Sequence, residues 1–291
     1  MEGIALFFLL FQTPFGLGVL VFVVALVIAL VKPKKVWKKL VAAGIVVVVA
    51  ISPIVYGVMY QRKFGAEATT RYEESERLFL ERCKTAGERI YRTDTKVRGV
   101  LLLKVRPRET NVDRQFDLTD PYGNDLGGDG YIESFLKTYN AIATIPPTRL
   151  GYDYVDTKDS MTGTIYRYTG SIVPPEPNGI HPRLELSKEV VGTSPSKYGV
   201  SYADISTHED RQHWIAGSSL QIIDLNTNAI VAERVGYMMD PGQGSRAGGR
   251  SPWLEATNHS CPSFGTFHAF AQQRTQTVRF VTKILQPIGE P

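Results

Sequence analysis

Charge is what the first sixty residues of this chain lack. Up to Tyr60 only Glu2, Lys32, Lys34, Lys35, Lys38 and Lys39 are charged. A soluble helical hairpin of that length would carry a polar face, and this stretch has none. Cysteine is scarce as well, with only Cys83 and Cys261. Neither has a Cys-x-x-Cys neighbour, which excludes a zinc ribbon and a dithiol redox centre. No Gly-x-Ser-x-Gly nucleophile elbow occurs. The glycine-rich run from Gly242 to Arg250 lacks the Gly-Lys-Ser/Thr ending of a P-loop, and Ser251, Pro252 and Trp253 follow it. It therefore fits neither the P-loop nor the dinucleotide fingerprint. No cofactor is expected.

A basic excess is missing from the bulk of the chain. Removing the five lysines and Glu2 from totals of 33 basic and 29 acidic residues leaves 28 of each. The net charge of +4 thus belongs to the N-terminal lysines. A nucleic-acid partner would need Lys and Arg clustered on the large domain, so none is expected.

What is present first is apolar length. Ile4 to Val31 is apolar except for Gln12 and Thr13, and Leu40 to Tyr60 is a run of 21 residues without a charge. A helix rises about 1.5 Å per residue against a hydrocarbon core of about 30 Å, so each run is long enough to span a bilayer. Pro14, Gly16, Gly18, Gly44 and Pro53 are tolerated in such helices. Met1-Glu2-Gly3 is not the basic start of a signal peptide. The five lysines and Trp37 lie between the runs. Cytoplasmic loops carry the Lys and Arg excess, so this loop is expected inside and both termini outside. Residues 1–61 are then a two-helix anchor. Residues 62–291 form an extracytoplasmic domain, in a multi-pass protein of the bacterial inner membrane with that domain in the periplasm. An oxidising compartment favours a Cys83–Cys261 disulfide.

The domain reads as α+β, with a mostly antiparallel sheet flanked by an N-terminal and a C-terminal helix. Gly65 to Arg92 predicts a helix, with Tyr72, Phe79, Cys83, Ala86 and Ile90 on one stripe and Glu73–Arg77 and Glu88–Arg92 at i,i+4. Gly99 to Val105 predicts a buried strand and Tyr131 to Tyr139 a short helix. Further strands are expected at Tyr152–Asp156, Gly163–Tyr168, Arg183–Val191 and Gly199–Ile205. Leu220–Leu225 and Ile230–Tyr237 flank Asn226-Thr-Asn228 as a hairpin. Pro262 to Leu285 predicts a final helix.

Three polar clusters are candidate sites. His208 and His213 sit in Thr207-His-Glu-Asp-Arg-Gln-His-Trp214. The zincin motif needs His at i and i+4 on one helical face, whereas these are at i and i+5 and diverge on a helix. A metal here would need an irregular loop, with His259 or His268 as a third ligand. The acidic Asp117–Glu133 stretch has calcium-loop composition, but Asp117, Asp120, Asp125 and Asp129 miss the EF-hand alternation. In the glycine-rich run, Arg246, Arg250 and Trp253 are residue types that dominate protein interfaces. The expected function is a membrane-anchored interaction module with a protein or cell-envelope partner, of an envelope-assembly or toxin-neutralising kind. The alternatives are a metal-dependent envelope hydrolase using His208, His213 and Glu209, and a structural subunit of a membrane complex.

Overall fold

The structure is a computed structural model that describes residues 14–31, 34–108, 116, 126–137, 151–174, 183–265 and 269–288. The chain divides into two compact units, Met1–Thr70 and Arg71–Pro291. In the first unit lies α1 (Pro14–Val31), which carries no charged residue. The helix α2 (Val36–Cys83) begins there and ends in the second unit. It is one helix long and apolar enough to cross a membrane. Val48, Ile54 and Met59 on it are exposed, so no protein core covers them. Residues 4–13 of the expected first span lie outside the described residues.

In the second unit α2 stops at Cys83, short of the expected Arg92. Gly87 has φ 140°, outside helical space, and β1 (Gly87–Ile90) pairs antiparallel with β9 (Ala229–Met239). The expected Glu88–Arg92 pair is consequently replaced. Glu88 pairs with Lys283 at 2.5 Å, and Arg92 with the buried Asp224 at 2.6 Å.

Nine of the described strands form one sheet. Its centre is β3 (Gly99–Leu102), whose Val100, Leu101 and Leu102 are all buried. Such an uninterrupted apolar run suits a strand covered on both faces. It pairs in parallel with β4 (Tyr154–Lys158) on one side and β7 (Tyr198–Asp204) on the other. Gly99 is required there, because a Cβ would lie 2.4 Å from the Tyr154 ring. Every other pairing in this sheet is antiparallel. β5 (Ile165–Val173) and β6 (Arg183–Val191) extend it beyond β4, and β8 (Ile215–Asp224) and β9 beyond β7. The β8–β9 turn places Asn228 at φ 58°, a conformation Asn tolerates. β1 and the two-residue β10 (Ser260–Cys261) share the outer side of β9, which shields that edge.

The helix α3 (Asp129–Leu136) buries Tyr131, Ile132, Phe135 and Leu136 in the main core, close to the expected 131–139. The predicted C-terminal helix is broken. Cys261 is in β10, Gly265 has φ 81°, and among the described residues helix appears at α6 (Ala269–Arg274) and α7 (Gln276–Ile284). α7 buries Val278, Phe280, Val281 and Ile284. The chain then becomes β11 (Leu285–Pro287), parallel to β2 (Asp94–Val97) in a separate two-stranded sheet.

Cys83 and Cys261 form a disulfide, joining the end of α2 to β10. It closes a loop of 178 residues, which by loop-closure entropy contributes about 5 kcal/mol. Cys83→Ser is therefore expected to lower the thermal midpoint by many degrees, with alkylation of both thiols in the wild type only after reduction. Two thiols alkylated without reductant would contradict this.

Two carboxylates tie β2 and the β8–β9 turn to their surroundings. Asp94 accepts the Tyr198 hydroxyl at 2.6 Å and Lys197 at 3.2 Å. Those bonds, the tyrosine's above all, hold its pKa below the usual carboxylate range. Arg92, then the Asn226 amide, do the same for Asp224. Lowered folded-state values contribute stability above the unfolded value of about 4, and that stability is lost as pH falls below it. Acid titration of the unfolding midpoint should show a loss below about pH 4 that is smaller in Asp94→Asn.

Candidate functional site

Two of the three polar clusters, the histidine segment and the glycine-rich run, converge in space. The segment after β9 turns on Asp240, a carboxylate with no exposed surface. It accepts the Gly242 amide at 3.0 Å, the Gly244 amide at 2.7 Å and Arg250 Nη2 at 2.5 Å. Arg250 Nε also donates to Glu255 at 2.7 Å. A Cβ on Gly242 would strike the Arg250 guanidinium, and one on Gly244 the Trp214 indole, at 2.0 Å. The glycines are thus demanded by close packing around a buried acid, in a segment expected to be irregular. A four-residue helix, α5 (Pro252–Glu255), follows it, where the sequence suggested none.

The histidine segment forms α4 (His208–Gln212). Thr207 and Asp210 make a reciprocal capping box, with bonds of 3.1 and 2.8 Å. Asp210 is buried and accepts Arg82 Nε at 2.8 Å. Trp214 leaves α4 at φ 52°, a left-handed conformation rare for a bulky residue. Its ring stacks on Trp253 with centroids 5.2 Å apart, and Phe116 meets it edge-on at 6.2 Å. The Arg246 guanidinium lies 4.1 Å from the Phe116 ring centre.

Between the two segments stands Ser75 of α2, fully buried. Its Oγ lies 2.8 Å from the Arg71 carbonyl, 2.9 Å from Gln243 Oε1 and 2.9 Å from His213 Nδ1. The Gln243 amide orientation follows from its Nε2, which faces the His213 and Asp240 carbonyls at 3.3 and 3.0 Å. Ser75 has one hydroxyl proton, and two of its neighbours only accept. The tautomer in which His213 Nδ1 donates to Ser75 leaves the serine proton for one of those acceptors. In that tautomer the Ser–His contact is a clamp and not a nucleophile with its base.

The remaining candidates separate. His208 Nε2 contacts Gln212 Nε2 at 3.0 Å, and so has a different partner from His213. Among the described residues no group of three His, Cys, Asp or Glu side chains is placed to hold a metal ion. His268, Asp117, Asp120 and Asp125 lie outside the described residues. Asp129 opens α3, and Glu133 pairs with Lys137 at 2.5 Å. Two Ser-x-x-Lys spacings occur, and neither makes a Ser–Lys pair. Ser134 Oγ donates to the Tyr131 carbonyl. Ser194 Oγ donates to Asp156, while Lys197 goes to Asp94.

Of the three expected interface residues, Trp253 is corrected outright. It is fully buried against Ala216, Met238, Ala256, Phe264 and Ala269, because α5 turns it into the core. Arg250 is committed to Asp240 and Glu255. Only Arg246 is exposed. The sequence reading missed a cleft of about 570 Å³ beside β3, β4 and β7, lined by Tyr166, Tyr168, Tyr202 and three lysines. Tyr166 and Tyr168 at i,i+2 on one strand was the available signal. No family model matches the chain, and no curated protein or solved structure is significantly similar to it.

Arg250→Ala should strand the Asp240 charge and cost about 3–5 kcal/mol. Arg246→Ala gives up only an exposed cation–π contact, under about 1 kcal/mol. Chemical unfolding followed by tryptophan fluorescence checks both, and equal losses would refute the division into structural and exposed arginines.

Proposed function

We propose that this chain is a membrane-anchored binding module. In this reading α1 and the apolar part of α2 both span the bacterial inner membrane, and the α+β domain lies in the periplasm. The observation that carries the reading is the Cys83–Cys261 disulfide, since such bonds persist in oxidising compartments and are rare in the cytosol. The lysines between the two helices support the same orientation, and Lys34, Lys35, Lys38 and Trp37 there are exposed. The uncharged α1 and the charge-free Leu40–Tyr60 run of α2 support two spans. Protease added to right-side-out vesicles should digest the domain, and protease added to inverted vesicles should leave it intact. The reverse pattern would end this placement.

Binding in place of catalysis is supported by what the polar clusters do. The buried acids, His213 and Ser75 are consumed in holding the fold. The protein or envelope partner is assigned to the surface at the exposed Arg246 and the half-buried Phe116, where a guanidinium over an aromatic ring offers a charge and an apolar edge together. Arg246→Glu is expected to cut co-purification of crosslinked partners several-fold while leaving the thermal midpoint unchanged. Undiminished capture would remove this surface assignment.

A further inference from the structure

The cleft missed by the sequence lies at the carboxyl ends of the parallel strands. β3 continues into Leu103 and Lys104, β4 ends at Lys158, and β7 contributes Tyr202, all in the cleft wall. The chain leaves β3 through α3 to β4 on one side, while β7 lies on the other. That is a topological switch point, where sheets with parallel strands open a crevice for ligands.

The lining supplies three cations, Lys104, Lys158 and Lys188. The Lys188 ammonium stands 4.0 Å from the Tyr166 ring centre and 5.4 Å from that of Tyr168. Lys104 is 5.7 Å from the Tyr202 ring and donates to the Tyr202 carbonyl at 3.2 Å. Arg106, buried and not itself part of the lining, lies 3.9 Å from the same ring. Lys188 has a raised pKa, chiefly through its bond to the Tyr168 hydroxyl. These side chains have already lost much of the freedom an anion would otherwise take from them.

Two acids are present, and they differ. Asp159 Oδ1 is used by the Met161 and Thr162 amides at 2.9 and 2.7 Å. Asp129 remains as an acceptor opposite the lysines. The cleft therefore offers cations, phenol hydroxyls and one carboxylate. Apolar side chains contribute only Leu103, Val105 and Ile132. Its volume far exceeds that of a lone phosphate and falls in the range of small-molecule sites.

We propose that this cleft binds an acidic sugar, a hydroxylated ring bearing phosphate or carboxylate. The lysines take the anionic group as point charges. Asp129 and the tyrosine hydroxyls take ring hydroxyls. The inference does not depend on which side of a membrane the domain occupies, nor on the Arg246 surface.

Calorimetric titration of the full-length protein in detergent tests it, with trigalacturonate and glucose 1,6-bisphosphate as probes. Maltotriose is the neutral ring and pyrophosphate the anion without one. At least one acidic sugar should bind, about tenfold or more tighter than either control. The Lys104→Gln/Lys158→Gln/Lys188→Gln variant should weaken that binding at least about tenfold at an unchanged thermal midpoint. The three Lys→Arg replacements, which keep the charge and guard against a folding artefact, should retain it within a few-fold. No binding by either acidic sugar, equal binding of pyrophosphate, or full affinity in the Gln variant would overturn the proposal.

Discussion

The seating of the Arg71–Cys83 end of α2 against the β8–β9 hairpin is the constraint on which this domain's arrangement depends. Phe79 packs with Ile215, Tyr237 and Met239 in a core of its own, joined by Tyr72, Leu78 and Ala86. Around it are one covalent bond, Cys83–Cys261, and one ion pair to a buried acid, Arg82–Asp210. The Ser75 clamp and an Arg71 bond to the Gln212 carbonyl complete the seat. The contacts run from Arg71 to Cys83 along the helix and land on α4 and its C-terminal end, on the β8–β9 hairpin and on β10. Rotation of the helix would break several together.

Buried carboxylates organise the irregular parts of the domain. Asp210 caps α4 and holds α2, and Asp240 gathers the glycine-rich segment. Asp156 on β4 takes a bidentate pair of 2.9 Å bonds from Arg167. In every case an arginine supplies the counter-charge and amides or hydroxyls fill the remaining lone pairs. A buried acid without such partners would be costly. The same economy explains why these groups are not available for chemistry. Their lone pairs are spent on the fold.

Two surfaces remain open. Arg246 and Phe116 lie beyond the end of the β8–β9 hairpin. The tyrosine–lysine cleft lies where the parallel strands end. Within the large sheet, parallel pairing is confined to β3 with its two neighbours, and the crevice lies where those strands end.

Much of this was readable along the chain. Apolar length gave the helices of the first sixty residues, because a charge-free run has few other solutions. Strand alternation located β6, β7 and the β8–β9 hairpin to within a few residues, and two scarce cysteines foretold their bridge. Contacts distant in sequence decided the rest. Gly87 ends α2 because β9 waits to pair with the next four residues. Trp253 has the composition of an interface residue, yet α5 turns it into the core. His213, a candidate metal ligand by residue type, meets Ser75, 138 residues away. Local pattern determines which groups a segment must bury or expose. Which partner satisfies each buried group is a property of the assembled fold, because that partner comes from elsewhere in the chain.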